Sequence, residues 1–250
     1  MPVPDFFDSS GCFETIRVKE GRPVQLQAHV ERLQESIRSL GLEPVDVKKI
    51  AAELEETARE IRTGAVRIAV KRQGPHRILI HAETTDRHAG SGPEGLLLTT
   101  APASWPAGET FIAQVKHSER LSSILARMGA RDSVEVLRFG PEGTLTEGTV
   151  SNLFLVKMGT VITPPLWSGV LGGVARRWIF RAAGRLEVPV QEIPVTRHDL
   201  FNADEAFLTN ALAGIRPIRG VDGRRIGLEI PGPITKRFID EWKKEDRNSG

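Results

Sequence analysis

The spacing of apolar and polar positions changes period several times along the chain, and each change predicts an element. Over residues 12–18, Phe13, Thr15 and Arg17 alternate with Glu14, Ile16 and Val18 and run into Gly21-Arg22-Pro23, which predicts a strand with one unusually polar face, then a turn. Leu26, Val30, Leu33, Ile37 and Leu40 recur at helical spacing up to Gly41, predicting an amphipathic helix with Arg32 beside its stripe. Ile50, Ala51, Leu54, Ala58 and Ile61 predict a second helix over residues 47–62, closed at Gly64. Strands are predicted over residues 65–71, 77–81 and 96–100.

Residues 101–108 are rich in Pro, Ala and Gly without an apolar period, which places a domain boundary there. The expected organisation is a small domain over residues 1–102, a linker over 103–110 and a larger domain over 111–250. In the larger part a short strand over residues 111–115 ends at Lys116, and Leu121, Ile124, Leu125 and Met128 mark a helix closed at Gly129. Residues 134–139 and 144–146 flank the turn Gly140-Pro141-Glu142-Gly143, and 153–157 pairs with 160–163 across Met158-Gly159. A helix over 174–185, a strand over 205–209, a turn over 210–214 and a terminal helix over 234–243 complete an α/β (α+β) pattern.

Composition narrows the function classes. The 250 residues suffice for one large or two ordinary domains, and the 34 basic and 32 acidic side chains are interspersed, so a net charge of +2 leaves no footprint for nucleic acid or a membrane surface. No apolar run approaches the roughly 18 residues of a membrane span. Cys12 stands alone, and the first residues lack the basic and apolar regions of a secretory signal, so a reducing cytoplasm is the expected compartment. The histidines form no His-x-x-x-His pair, which argues against a metal site, and there is neither a phosphate loop nor a Gly-x-Ser-x-Gly elbow.

The candidate chemistry centres on Lys116 and on Glu147, which enters the small-residue turn Gly148-Thr149-Val150-Ser151-Asn152 ahead of an apolar strand. A lysine can form a Schiff base with an aldehyde cofactor, and a buried carboxylate can keep a pyridine nitrogen protonated, a combination that suits pyridoxal phosphate. Gly172-Gly173 before a helix supplies N–H groups for a phosphate, and the guanidinium of Arg32 offers a fork for the same group. Taken singly, each has a plainer reading: Lys116 as a solvated strand end, Glu147 as a hairpin surface residue, and Arg32, Arg176 and Arg177 as solvated helix charges.

Together these segments resemble the class IV (fold type IV) pyridoxal-phosphate enzymes, among them branched-chain and D-amino-acid aminotransferases and aminodeoxychorismate lyase. Gly11-Cys12-Phe13-Glu14-Thr15-Ile16-Arg17 is similar to the family's G-x-F-E-T-x-R strand, and His29-Val30-Glu31-Arg32-Leu33 to its H-x-x-R-L helix. Residues Glu147 to Phe154 resemble the E-G-x-x-x-N-L/I-F signature, and Gly173-Val174-Ala175-Arg176 the G-I-T-R phosphate turn. The resemblance implies a two-domain fold with a small α/β domain and a larger one built on a mainly antiparallel pseudo-barrel with flanking helices. It implies Lys116 as the Schiff-base lysine, Arg32 at the phosphate and Glu147 at the pyridine nitrogen, with Ser151, Asn152, Gly173, Val174, Ala175, Asn210 and Ala211 completing the cofactor site. Family chains carry a further strand pair before the G-x-F-E-T strand; here only residues 1–10 precede Gly11, so part of the small domain is expected to be missing or rebuilt.

Three local features resemble the lyase more than the aminotransferases: Val115-Lys116-His117-Ser118-Glu119-Arg120-Leu121 around the lysine, Ala175 where aminotransferases carry Thr, and Thr209-Asn210-Ala211-Leu212. The implied activity is elimination of pyruvate from 4-amino-4-deoxychorismate to give p-aminobenzoate for folate synthesis. The alternatives are a class IV aminotransferase of D-, branched-chain or aromatic amino acids, and a cofactor-binding protein without turnover. Arg17 and Arg120 are candidates for substrate carboxylates by charge and position, and the family's dimers imply a homodimer.

Overall fold

A computed structural model describes residues 11–72, 78–84, 94–101, 115–116, 135–140 and 142–248. The chain divides into two compact units. The first holds a four-stranded antiparallel sheet in the order β2-β1-β3-β4, made by β1 (Gly11–Lys19), β2 (Arg22–Pro23), β3 (Gly64–Arg72) and β4 (Ile78–Thr84). Two helices, α1 (Leu26–Ser39) and α2 (Val47–Ile61), supply the rest. Their apolar stripes meet one face of β1 and β3: Val30, Leu33, Ile37, Ile50 and Leu54 pack with Ile16, Val18, Val66, Ile68 and Val70. The side chain of Asp46 caps α2 by accepting from the backbone N–H groups of Lys48 and Lys49.

The second unit is a nine-stranded sheet. It contains β5 (Leu96–Thr100), β6 (Val136–Phe139), β7 (Leu145–Gly148), β8 (Asn152–Lys157), β9 (Thr160–Thr163), β10 (Val190–Glu192), β11 (Glu205–Asn210), β12 (Gly214–Val221) and β13 (Arg224–Arg225). Its path runs β10-β9-β8-β11-β12-β5-β6-β7, and Glu147 of β7 pairs back onto Asn152 of β8, so six strands close into a ring. Most pairings are antiparallel; β12–β5, β5–β6 and β10–β9 are parallel. Among the described residues three α-helices belong to this unit: α3 (Val174–Leu186), α4 (Arg197–Phe201) and α5 (Pro233–Asn248).

The strands β8 and β11 are apolar on both faces because each face has its own partner. Leu153, Leu155 and Leu208 pack with Leu137, Leu145 and Ile218, whereas Phe154, Val156 and Phe207 pack against Trp178 and Ile179 of α3 and Phe238 of α5. Phe154 and Phe207 are directly opposed across the two strands, their rings stacked at 5.1 Å. Glu205 at the start of β11 is buried and accepts from the N–H groups of Ile234 and Thr235, so it caps α5 from a neighbouring strand.

The division of the chain differs from the expected one in two places. β5 lies in the second unit, hydrogen-bonded between β12 and β6, and Val115-Lys116 groups with the first. Both differences have one cause: pairing partners distant in sequence decide membership, and a Pro/Ala/Gly stretch reports only where regular structure pauses. The linker, the strand expected over residues 111–115 (apart from Val115) and the helix around Leu121 to Met128 lie outside the described residues, as does Arg120. No helix among the described residues is long and apolar enough to cross a membrane.

Candidate active site

In the first unit the site is organised by a sheet edge. Among the described residues β2 pairs only with Val18 and Lys19 of β1, and further back along that edge the N–H of Phe13 donates to the carbonyl of Lys116 at 3.0 Å. A lysine anchored by its own main chain at that edge reaches both faces of the strand. Its Nζ stands 3.9 Å from Glu14 Oε2 on one side and 5.2 Å from the centroid of the Phe13 ring on the other.

Glu14 lies on the helix-facing side of β1 among Cys12, Ile16 and Val18 and is fully buried. Arg32 closes its fork on it, Nε donating to Oε1 at 2.7 Å and Nη2 to Oε2 at 2.6 Å. His29, one turn earlier on α1, places Nδ1 2.7 Å from Oε2. Burial pushes the Glu14 carboxyl up, but the charges of Arg32 and Lys116 and the hydrogen bonds from His29 and Arg32 outweigh it and hold the group well below the usual carboxylate range. Glu14 is therefore an ionised acceptor and His29 its donor, in keeping with an imidazole that burial keeps neutral. Burial and the Glu14 charge raise the Cys12 thiol to about 12, so it is protonated at neutral pH and is no nucleophile.

The opposite face of β1 carries Phe13, Thr15 and Arg17. Register pairs Thr15 with Arg67 of β3, and the Arg67 guanidinium sits 4.3 Å from the centroid of the Phe13 ring. This face is cationic around an aromatic ring.

In the second unit the hairpin β6–β7 and the tight turn into β8 position two buried carboxylates. Glu147 accepts from three donors: Arg138 Nη2 at 2.5 Å on Oε1, and Asn152 Nδ2 and the N–H of Leu171, each at 3.0 Å, on Oε2. Asn152 Nδ2 also donates to the carbonyl of Leu171, tying the loop before α3 to the turn. Glu135, just ahead of β6, accepts from the N–H of Val150 at 2.8 Å and from Ser151 Oγ at 2.6 Å and so props the turn from beneath. Burial pushes its carboxyl up, against those two hydrogen bonds and the field of Arg216. A Cβ at Gly148 would fall 2.3 Å from Glu135 Oε1, so only glycine lets this carboxylate approach.

The predicted phosphate turn forms the start of α3. Gly173 is its N-cap, no side chain caps the helix, and Val174 and Ala175 are its first residues, so the donor chemistry and dipole fit an anion. α2, α4 and α5 have side-chain acceptors at their starts, from Asp46, Thr196 and Glu205. Asn210 Oδ1 accepts from the N–H groups of Leu212 and Ala213 and closes the turn that carries Ala211. Gly173 is also sterically required: a Cβ there would meet Asn152 Oδ1 at 2.0 Å. Gly173→Ala is expected to displace Asn152 from Glu147, destabilise the protein by about 1–3 kcal/mol and weaken cofactor binding; chemical denaturation and a cofactor titration measure the two effects.

The solvated reading of Arg32 and Arg176 is overturned. Both are buried, Arg32 on Glu14 and Arg176 on the carbonyl of Pro164 and on Glu192, where Nη2 donates at 3.1 and 2.8 Å. Ser151 and Asn152, expected at the cofactor, hold the carboxylates Glu135 and Glu147. Sequence reasoning did not single out Glu14, His29, Arg67, Glu135 or Arg138. A glutamate on the apolar face of β1 and the i, i+3 pair His29/Arg32 were the available signals for the first two; nothing local marks Glu135 or Arg138.

Similarity to known proteins identifies the family. A protein of Methanocaldococcus jannaschii provisionally named a branched-chain-amino-acid aminotransferase is 30% identical over 93% of this chain and 86% of its own length. The crystal structure of 4-amino-4-deoxychorismate lyase from Pseudomonas aeruginosa superposes with a TM-score of 0.85 at 29% identity, covering 94% of this chain and 90% of that one. A branched-chain amino acid aminotransferase of T.th. solved with pyridoxamine 5'-phosphate has a TM-score of 0.83 at 26% identity, over 96% and 85% of the two chains. The model of amino-transferase class IV matches residues 11–221, and the chain belongs to that family of pyridoxal-phosphate enzymes.

Proposed function

We propose that the protein is a lyase that converts 4-amino-4-deoxychorismate to p-aminobenzoate and pyruvate. The observation that carries this reading is the face of β1 and β3 on which Arg17 and Arg67 lie on the same side as the Phe13 ring, beside Lys116. Two guanidiniums around an aromatic surface suit a six-membered ring bearing two carboxylates, and the lysine suits its amine. The lyase-like Ala175 and Asn210-Ala211 support the same choice.

Pyridoxal phosphate supplies an electron sink for the substrate's amine-bearing carbon. Lys116 would hold the cofactor covalently, and its freed amine would take the proton from that ring carbon. The C–O bond to the enolpyruvyl group then breaks, and the departing group gains a proton to become pyruvate. Glu147 would serve the cofactor's pyridine nitrogen, its carboxylate steadied by Asn152 and the N–H of Leu171. The N–H groups at the start of α3 and the turn of Asn210 and Ala211 would hold the phosphate, and the family resemblance assigns Arg32 to the same group.

A second reading, an aminotransferase, is favoured by the Methanocaldococcus jannaschii relative. Incubating the loaded enzyme with 4-amino-4-deoxychorismate, and separately with D- and L-amino acids, separates them. The expected result is p-aminobenzoate without added amino acceptor and no transfer of amino groups to the cofactor; transfer without p-aminobenzoate would establish the aminotransferase.

A further inference from the structure

The side chain of Arg138 is only 17% exposed, and it reaches Glu147 across the β6–β7 hairpin, whose register slips between Leu137 and Phe139. There β7 has an extra residue opposite Arg138, and the guanidinium donates to Glu147 Oε1. An ionised carboxylate offers about four acceptor positions. Asn152 and Leu171 take both on Oε2, and Arg138 takes one on Oε1. A ring N–H arriving at Glu147 therefore shares Oε1 with a fixed positive charge. Arg138 Nε is also buried and donates no hydrogen bond among the described residues.

We propose that Arg138 is a positioning residue that sets the proton affinity of the cofactor's pyridine nitrogen through Glu147. The inference rests on the assignment of Glu147 to that nitrogen. Arg138 fixes the carboxylate in place, lowers its power to attract a proton to the ring, and repels the charge that protonation would create. Among the described residues the other charged groups facing this cluster are Glu135 and Arg216, which oppose one another and leave Arg138 as the charge in direct contact with Glu147.

The test follows the pyridine nitrogen itself, by ¹⁵N nuclear magnetic resonance of the protein loaded with ¹⁵N-labelled pyridoxal phosphate, across pH. Arg138→Gln keeps a donor to Oε1 but removes the charge, and Arg138→Met removes both. The expected result is a protonation midpoint raised by about one to three pH units in either variant, and lowered in Glu147→Gln. An unchanged midpoint in the Arg138 variants with a lowered one in Glu147→Gln overturns the role of Arg138 and leaves Glu147 in place. An unchanged midpoint in Glu147→Gln overturns the assignment of Glu147 and the inference with it.

Discussion

Lys116→Ala is expected to abolish turnover, with a fall in kcat of at least about 10²–10⁴-fold from the lost proton transfer alone. The loss of covalent cofactor attachment adds to this. The structure makes the substitution a clean one. Lys116 is held by its backbone carbonyl, which accepts from Phe13, and an alanine keeps that hydrogen bond. Glu14 loses one nearby cation but keeps the bidentate contact with Arg32, so the buried carboxylate remains paired. Activity and folding thus separate. Borohydride reduction followed by mass spectrometry of the intact chain gives a second readout: the wild type gains the mass of the reduced cofactor, and the variant does not. Full activity together with retained covalent attachment would remove Lys116 from the mechanism.

The elements most legible in the sequence are those with one buried face. β1 and α1 each present a single apolar stripe, and their expected spans, 12–18 for the strand and 26–40 for the helix, differ from the observed Gly11–Lys19 and Leu26–Ser39 by a residue or so at each end. α5 begins at Pro233 and extends further than its stripe of Ile234, Phe238 and Trp242 suggests, because its polar tail needs no packing partner to continue. The strand β12 and the short elements β10 and α4 escaped notice. Pro217 sits inside β12, where a proline weakens any strand reading, and residue 217 faces Phe207 at a position the ring tolerates.

The site was legible where chemistry is written in consecutive residues and illegible where it depends on register. Glu147 through Phe154 declares itself, since a carboxylate, small turn residues and an apolar strand follow in order. Arg138 does not: which residue faces it across the hairpin depends on the register, and the slip between Leu137 and Phe139 leaves no local sign. Glu135 is similarly silent, for its partners Val150 and Ser151 lie across a hairpin. The Glu14 cluster is an intermediate case. The polar residues were visible in the G-x-F-E-T and H-x-x-R-L stretches, but that β1 and α1 turn them toward each other follows only from packing.

Glu14→Ala is expected to be the most destabilising substitution in the first unit, costing about 3–5 kcal/mol at neutral pH. The carboxylate is the common acceptor of Arg32 and His29, both buried, so its removal strands a guanidinium and an imidazole in a site built from Ile16, Val30 and Leu33. The pH dependence identifies the cause. The folded-state pKa of Glu14 lies below the unfolded value of about 4.3, so its contribution is fully present above that pH and is lost as pH falls toward the folded value. Wild type and variant should therefore differ most near neutrality, and their denaturation midpoints should converge as the solution is acidified below about pH 4. Urea titrations at several pH values measure this directly. A difference that stays constant from neutral pH into the acid range would mean that Glu14 acts by filling space and not by its charge. Glu14→Gln, which keeps the volume, should then restore nearly all the stability, whereas a role in pairing Arg32 predicts that it restores only a part.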